Sequence, residues 1–287
     1  MHTQRFQLRQ DNADVYFDLY LLHNSAEFQT DQKRPLVVVC PGGGYFFTSD
    51  REAEPIALRF LAHGFHTVVL RYAVNTLFPQ PMLDLAQTIS MIRQHADEWH
   101  VNPDQIAVCG FSAGGHLASA MGVFWDKPFL YEPLGVSAEQ IKPNALILGY
   151  PVIDLRLVSR SQEELNADGE PLDVAALIHE KIFGTTSPSQ DQIERYRTDL
   201  HVSQTTPPTF LWHTADDELV PSKNSLLFAT ALAEQGVPYE IHIFDRGVHG
   251  LALADEVTEA RDRFINPHSQ IWVELAIKWL KRQHQPT

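Results

Sequence analysis

The sequence predicts an α/β fold in which a mostly parallel central sheet carries helices on both faces. Three observations carry this. Short β-branched apolar runs alternate with longer amphipathic stretches along most of the chain, the signature of a parallel sheet covered by helices. The run Leu36-Val37-Val38-Val39-Cys40 is apolar at every position, as a strand buried on both faces requires. Several of these runs end in loops rich in Gly, Pro or Asp, such as Pro41-Gly42-Gly43-Gly44 and Asp216-Asp217-Glu218. In open α/β sheets, the loops at the carboxyl ends of strands hold the ligand.

Taken in order, Asp14 to His23 alternates apolar and polar residues and reads as an early antiparallel strand. Leu36 to Cys40 is the first central strand. Ala53 to His63 reads as a helix that Gly64 stops, and Thr67 to Tyr72 as the next strand. Leu85, Ile89, Ile92, Ala96 and Trp99 set a helical stripe from Met82 to Glu98. The turn-like Val101-Asn102-Pro103-Asp104 leads into a strand from Ile106 to Cys109. Ala113 to Phe124, rich in Gly and Ala, is a helix suited to close packing, and Ala145 to Tyr150 is a strand.

From about Asp154 to Thr206 the chain becomes polar and is broken by Gly169, Pro171, Gly184 and Pro188, with a short helical piece from Val174 to Phe183. This predicts a cap or lid inserted in one domain spanning residues 1–287, rather than a second domain; the alternative is a surface excursion. Alternation resumes with a strand from Thr209 to His213, a helix from Ser222 to Gln235, a strand from Tyr239 to Phe244 and a closing amphipathic helix from Ser269 to Lys281.

Composition narrows the function. A net charge of −14 over 287 residues disfavours nucleic acid and anionic membrane surfaces as partners. No apolar run approaches the ~20 residues of a membrane span, and Met1 to Gln10 lacks the apolar stretch of a signal peptide; a cytoplasmic protein is the expectation. The two cysteines, Cys40 and Cys109, end apolar runs and are expected to be buried, reduced thiols. The 14 histidines are scattered without metal-ligand spacing, so neither metal nor cofactor is expected. Whether chains pair is left open.

The chemistry is concentrated at Cys109-Gly110-Phe111-Ser112-Ala113-Gly114-Gly115-His116. Gly-x-Ser-x-Gly between a strand and a helix holds a serine on a strained elbow with its hydroxyl exposed. A serine hydroxyl needs a base, and that base needs an orienting acid. In this setting the chain order is Ser, then acid, then His. The loop after the strand ending at His213 supplies Asp216, Asp217 and Glu218, and the loop after Phe244 supplies His249. Ser112, Asp217 and His249 are therefore the expected catalytic residues, with Asp216 as the alternative acid and Glu218 a solvated charge. Oxyanion donors are expected from Gly43, Gly44 and Ala113. Tyr45, Phe46 and Phe47 either line an acyl pocket or belong to the core. His116 reads as a packed or solvated helix residue.

With these residues in view, the chain resembles the α/β-hydrolase superfamily, and within it the bacterial acetyl-esterase and acetylxylan-esterase-like branch. The similarity rests on Pro41-Gly42-Gly43-Gly44, on Gly110 to Ala118, on Trp212 to Pro221 and on His249-Gly250-Leu251. Pro41 and Phe111 stand where hormone-sensitive-lipase-like relatives carry His and Asp. The elbow and acid loop are also similar to prolyl-oligopeptidase-type domains, but the chain has no room for their propeller. The resemblance implies a serine carboxylesterase acting on short-acyl, acetyl-type esters, acetylated carbohydrates among them. A peptidase or amidase using the same triad is the alternative, and a non-catalytic binding protein that keeps the fold is a third reading.

Overall fold

The computed structural model describes residues 1–27, 30–160, 169–170 and 172–283. The strands are β1 (His2–Gln7), β2 (Tyr16–Leu21), β3 (Arg34–Cys40), β4 (His66–Arg71), β5 (Val101–Phe111), β6 (Ala145–Gly149), β7 (Thr209–Thr214) and β8 (Tyr239–Phe244). They form one sheet in the order β1-β2-β4-β3-β5-β6-β7-β8. β1 and β2 pair antiparallel, as do β2 and β4, and every pairing from β4 to β8 is parallel. The helices are α1 (Glu54–Ala62), α2 (Gln80–Gln94), α3 (Ala113–Phe124), the one-turn α4 (Pro128–Tyr131) and α5 (Ala138–Ile141), α6 (Val174–Phe183), α7 (Gln190–Tyr196), α8 (Lys223–Glu234) and α9 (Trp272–Gln283).

The two-residue period of a strand divides the apolar runs between two cores. Leu36, Val38, Val108, Leu146, Leu148 and Leu211 face α2, α3 and α8. Val37, Val39, Ala107, Ile147 and Phe210 face α1 and α9. Cys40 and Cys109 are both free and buried. They fall on opposite faces of the sheet, so no disulfide can join them without rebuilding a strand.

Crossovers place the site. β3 leads through α1 to β4 on one side, and β4 returns through α2 to β5 on the other. The sheet order therefore reverses around β3, and the loops leaving β3 and β5 flank a crevice at the carboxyl edge.

Two sequence expectations need correction, and one strand went unread. The polar segment His2–Gln7, to which the sequence reading gave no element, is the edge strand β1; it lacks an apolar period because it is largely exposed on both faces. Its register is held instead by Arg5, which donates to Asp18 Oδ1 at 2.8 Å and stacks on Tyr16. Val101–Asp104 is not a turn before a strand but the start of β5: Val101 pairs with Arg34 across a bulge. The turn signal was real, since Asn102 Oδ1 accepts the Asp104 N–H at 3.1 Å. The α2 helix ends at Gln94, short of the expected Glu98, yet Ala96 and Trp99 are still buried in a following turn.

The segment between β6 and β7 does not float on the surface. Ile178 and Ile182 of α6 join the core on the α2–α3 face. Tyr196 at the end of α7 lies 5.0 Å from Phe78, ring to ring, and Ser119 of α3 meets Thr198 at 3.1 Å, hydroxyl to hydroxyl. Residues 161–168 and Pro171, part of the expected cap, lie outside the described residues.

Fully buried Asn224 roots this excursion: its Oδ1 accepts the N–H groups of Ile153 and Asp154, both at 2.9 Å, and its Nδ2 donates to Pro221. Asn224→Ala should strand two buried donors and cost about 2–3 kcal/mol, read as a lower urea midpoint at unchanged slope.

Candidate active site

Ser112 is the single residue between β5 and α3. Its backbone has φ 51° and ψ −117°, a conformation that costs a non-glycine residue energy and persists only where its surroundings enforce it. Here they do. The Ser112 N–H donates to Gly149 O at 3.1 Å, and its carbonyl accepts from Val152 and His116 at 3.2 and 3.0 Å. The helix must also start hard against the sheet. A Cβ on Gly114 would lie 2.1 Å from the Cys40 carbonyl oxygen, so only glycine fits the second small position of the motif.

His249 follows β8, with its Nε2 2.8 Å from Ser112 Oγ and its Nδ1 2.7 Å from Asp217 Oδ2. A carboxylate can only accept, so Nδ1–H donates to Asp217 and Nε2 is left to accept from the serine hydroxyl. Asp217 is 4% exposed and its lone pairs are filled. Oδ1 accepts the Leu219 and Val220 N–H groups at 3.1 and 2.9 Å. Oδ2 also lies 3.3 Å from Nε2 of buried His213, whose proton is directed mainly to Val220 O at 2.7 Å. Burial pushes the Asp217 carboxyl up, but the His249 charge and the hydrogen bonds from His213 and His249 outweigh it and hold the group well below the usual carboxylate range. For His249, burial pushes the imidazole down, yet the Asp217 charge and hydrogen bond, with a further contribution from Glu52, leave it above its ordinary value of 6.5.

The other acids are used elsewhere. Asp216 Oδ1 accepts the Gly247 N–H at 2.5 Å and shapes the histidine loop without reaching His249. Glu218 is exposed.

The glycine loop abuts the nucleophile: a Cβ on Gly42 would sit 2.9 Å from Ser112 Cβ. Gly43 and Gly44 have φ of 124° and 62°, which leaves their N–H groups without an acceptor among the described residues. Ala113 N–H belongs to the first turn of α3, where helix donors have no intrahelical partner. These are the three N–H groups expected from sequence as oxyanion donors.

The aromatic residues after the glycines separate into two groups. Tyr45 is not a pocket wall: it is 1% exposed and its hydroxyl is hydrogen-bonded to His116 Nδ1 at 2.8 Å. Phe46 is half-buried and Phe47 exposed. His116 is packed, not solvated. Its Nε2–H donates to Tyr196 O at 2.8 Å, and burial pushes its pKa down to about 4, so the ring is neutral. It thereby ties α3 and the glycine loop to α7. Both thiols are pushed up by burial. Sequence reasoning gave no role to Glu52, Tyr150 or His213, which touch this constellation from behind; Glu52 and Tyr150 sit in no motif, His213 lies inside the Trp212–Pro221 segment but was read only as a strand residue, and only the packed sheet brings them there. Among the described residues no cluster of three or more His, Cys, Asp or Glu side chains is arranged to hold a metal ion, and no helix is long and apolar enough to cross a membrane.

An elbow serine after the central strand, facing a histidine and an acid on later strand ends, defines an α/β-hydrolase. More particularly, the chain belongs to the BD-FAE family, which matches residues 17–232. The carboxylesterase Cest-2923 from Lactobacillus plantarum superimposes with a TM-score of 0.84 at 32% identity, covering 99% of this chain and 98% of that one. An acetyl ester-xyloside bifunctional hydrolase from Caldicellulosiruptor lactoaceticus superimposes with a TM-score of 0.74 at 34% identity, over 93% and 88% of the two chains. An acetylxylan esterase from Xylanibacter ruminicola is 28% identical over 85% of this chain and 45% of its own length. Endo-1,4-beta-xylanase B from Butyrivibrio fibrisolvens is 30% identical over 82% of this chain and 34% of its own. The chain thus spans a third to a half of these two curated relatives.

The raised His249 sets a sign. Below its pKa the ring is protonated and cannot accept from Ser112, so labelling of Ser112 by a fluorophosphonate should slow as pH falls through a midpoint above 6.5. A labelling rate that stays flat between about pH 5 and 8 contradicts the coupling.

Proposed function

We propose that the protein is a serine carboxylic-ester hydrolase acting on short-acyl esters of the acetyl type, acetylated carbohydrates among them, with Ser112, His249 and Asp217 as its catalytic residues. The observation that carries this is the unbroken path of short hydrogen bonds from Ser112 Oγ through His249 to buried Asp217. Family membership and the esterases among the relatives support the ester substrate.

In the proposed mechanism, Ser112 Oγ attacks the ester carbonyl carbon while its proton passes to His249 Nε2. Asp217 holds the imidazole tautomer and stabilises the cation that forms. The negative charge on the carbonyl oxygen is received by the N–H groups of Gly43, Gly44 and Ala113, each donor contributing about 3 kcal/mol. As the carbon–oxygen bond to the alcohol breaks, His249 returns the proton to the leaving oxygen. Water then attacks the acyl-serine, giving a proton to His249, and the acid leaves as Ser112 regains it. Phe46, half-buried beside Gly44, is the pocket residue retained from the sequence reading. The segment from about Asp154 to Thr206 acts as a cap on the one hydrolase domain, a role supported by Leu155, Val158, Ile178 and Ile182, which share a core with α2 and α3.

Ser112→Ala should reduce turnover of p-nitrophenyl acetate to background with an unchanged circular dichroism spectrum. Asp217→Asn should lower kcat by about 10⁴-fold, and Asp216→Asn far less; the reverse order would exchange the acids. Across esters from acetyl to octanoyl, kcat/KM should fall with chain length. A preference for long chains overturns the acetyl reading, and faster turnover of anilides than esters makes the protein an amidase.

A further inference from the structure

We infer that Glu52 is a positioning residue of this site, holding the oxyanion loop and the histidine loop in register through its two carboxylate oxygens; this rests on the serine-hydrolase reading above. Glu52 ends the short 3-10 turn Asp50–Glu52 and is 4% exposed. Its Oε2 accepts the Gly42 N–H at 2.7 Å, immediately before the proposed oxyanion donors. Its Oε1 accepts from the Tyr150 hydroxyl at 2.6 Å. That hydroxyl in turn accepts the Ala252 N–H at 2.9 Å, three residues beyond His249. The preceding residue grips the same loop, since Arg51 donates to Gly250 O at 2.9 Å. One turn of chain therefore reaches both halves of the site.

Two features separate this from ordinary packing. First, the backbone at both ends of the bridge is strained: Tyr150, just after β6, has φ of 37°, and Ala252 and Ala254 of the histidine loop have φ of 54° and 59°, values that non-glycine residues keep only when held. Second, no cation pairs with Glu52 among the described residues, although a buried, unpaired carboxylate is costly. A glutamine could meet the Gly42 N–H with its oxygen, so hydrogen bonding alone does not demand a charge. The charge has a use at His249, whose ring lies 5.1 Å from that of Tyr150 and which must carry a proton during turnover. The other titratable groups that feel Glu52 are Tyr150, Tyr72 and Cys109, all pushed up by burial and neutral. His249 is faced by the carboxylates Asp217 and Glu52.

The test uses the full chain and p-nitrophenyl acetate. If the wild type turns over and Ser112→Ala does not, the underlying reading stands; if the wild type is inert, that reading fails and takes this inference with it. Given an active wild type, Glu52→Gln should lower kcat on the order of ten- to hundredfold with little change in KM. It should also move the acid limb of kcat/KM to lower pH, because the charge that favours protonated His249 is gone. Tyr150→Phe should lower kcat while leaving that limb in place. Wild-type kcat in Glu52→Gln overturns the inference, as does a loss of kcat with an unmoved acid limb, the result of a merely structural role. If Glu52→Gln does not fold, Tyr150→Phe decides: unchanged kcat overturns the proposal and a lower kcat at constant KM upholds it.

Discussion

Everything at this site depends on one constraint: a strand must become a helix across a single residue, with that residue's backbone at positive φ. Ser112 can hold this conformation because Gly149 at the end of β6 takes up its N–H and Val152, just beyond that strand, donates to its carbonyl, while α3 is pressed against the end of β3 at Gly114. The strain is thus borne by three parallel strands and a helix, not by the loop itself. It also aims the hydroxyl out of the sheet and leaves the first N–H of α3 free beside it. The small residues of α3, buried along its whole length, follow from the same need for close approach.

A second constraint is electrostatic. Asp217 is nearly fully buried, a placement that disfavours its charge, and the protein answers with two backbone donors and two histidines. Such a carboxylate stays ionised and stays still, as its proposed role of orienting His249 requires. The acid loop, the histidine loop and the glycine loop approach one another only because the crossovers diverge on either side of β3. Behind them, buried polar side chains of Glu52, Tyr150 and Asn224 join segments far apart in the chain.

That Ser112, Asp217, His249 and the glycine loop should meet was legible because each sits in a local pattern: a Gly-x-Ser-x-Gly elbow, or a Gly-rich or charged loop directly after an apolar run. The choice of Asp217 over Asp216 lay at the limit of such reading, since adjacent aspartates differ only in which way the turn points them. Tyr45 exceeded that limit. Beside the glycines it could equally line a pocket or fill the core, and only the position of His116 directs its hydroxyl inward. Strand β1 was invisible for a different reason, as an exposed edge strand needs no apolar period.

By itself, the sequence determined the order of strands β2 to β8 and of the longer helices between them, the two-faced burial of the central strands and which loops carry the polar groups of the candidate site. These follow from local periodicity and from turn chemistry a few residues long. Tertiary structure alone decided which aspartate meets His249, that His116 is a neutral strut between α3 and α7, and that Glu52 lies behind both loops. Those outcomes depend on contacts between residues as many as 102 positions apart, set by the twist and crossover of the sheet and by which buried polar atom finds a partner.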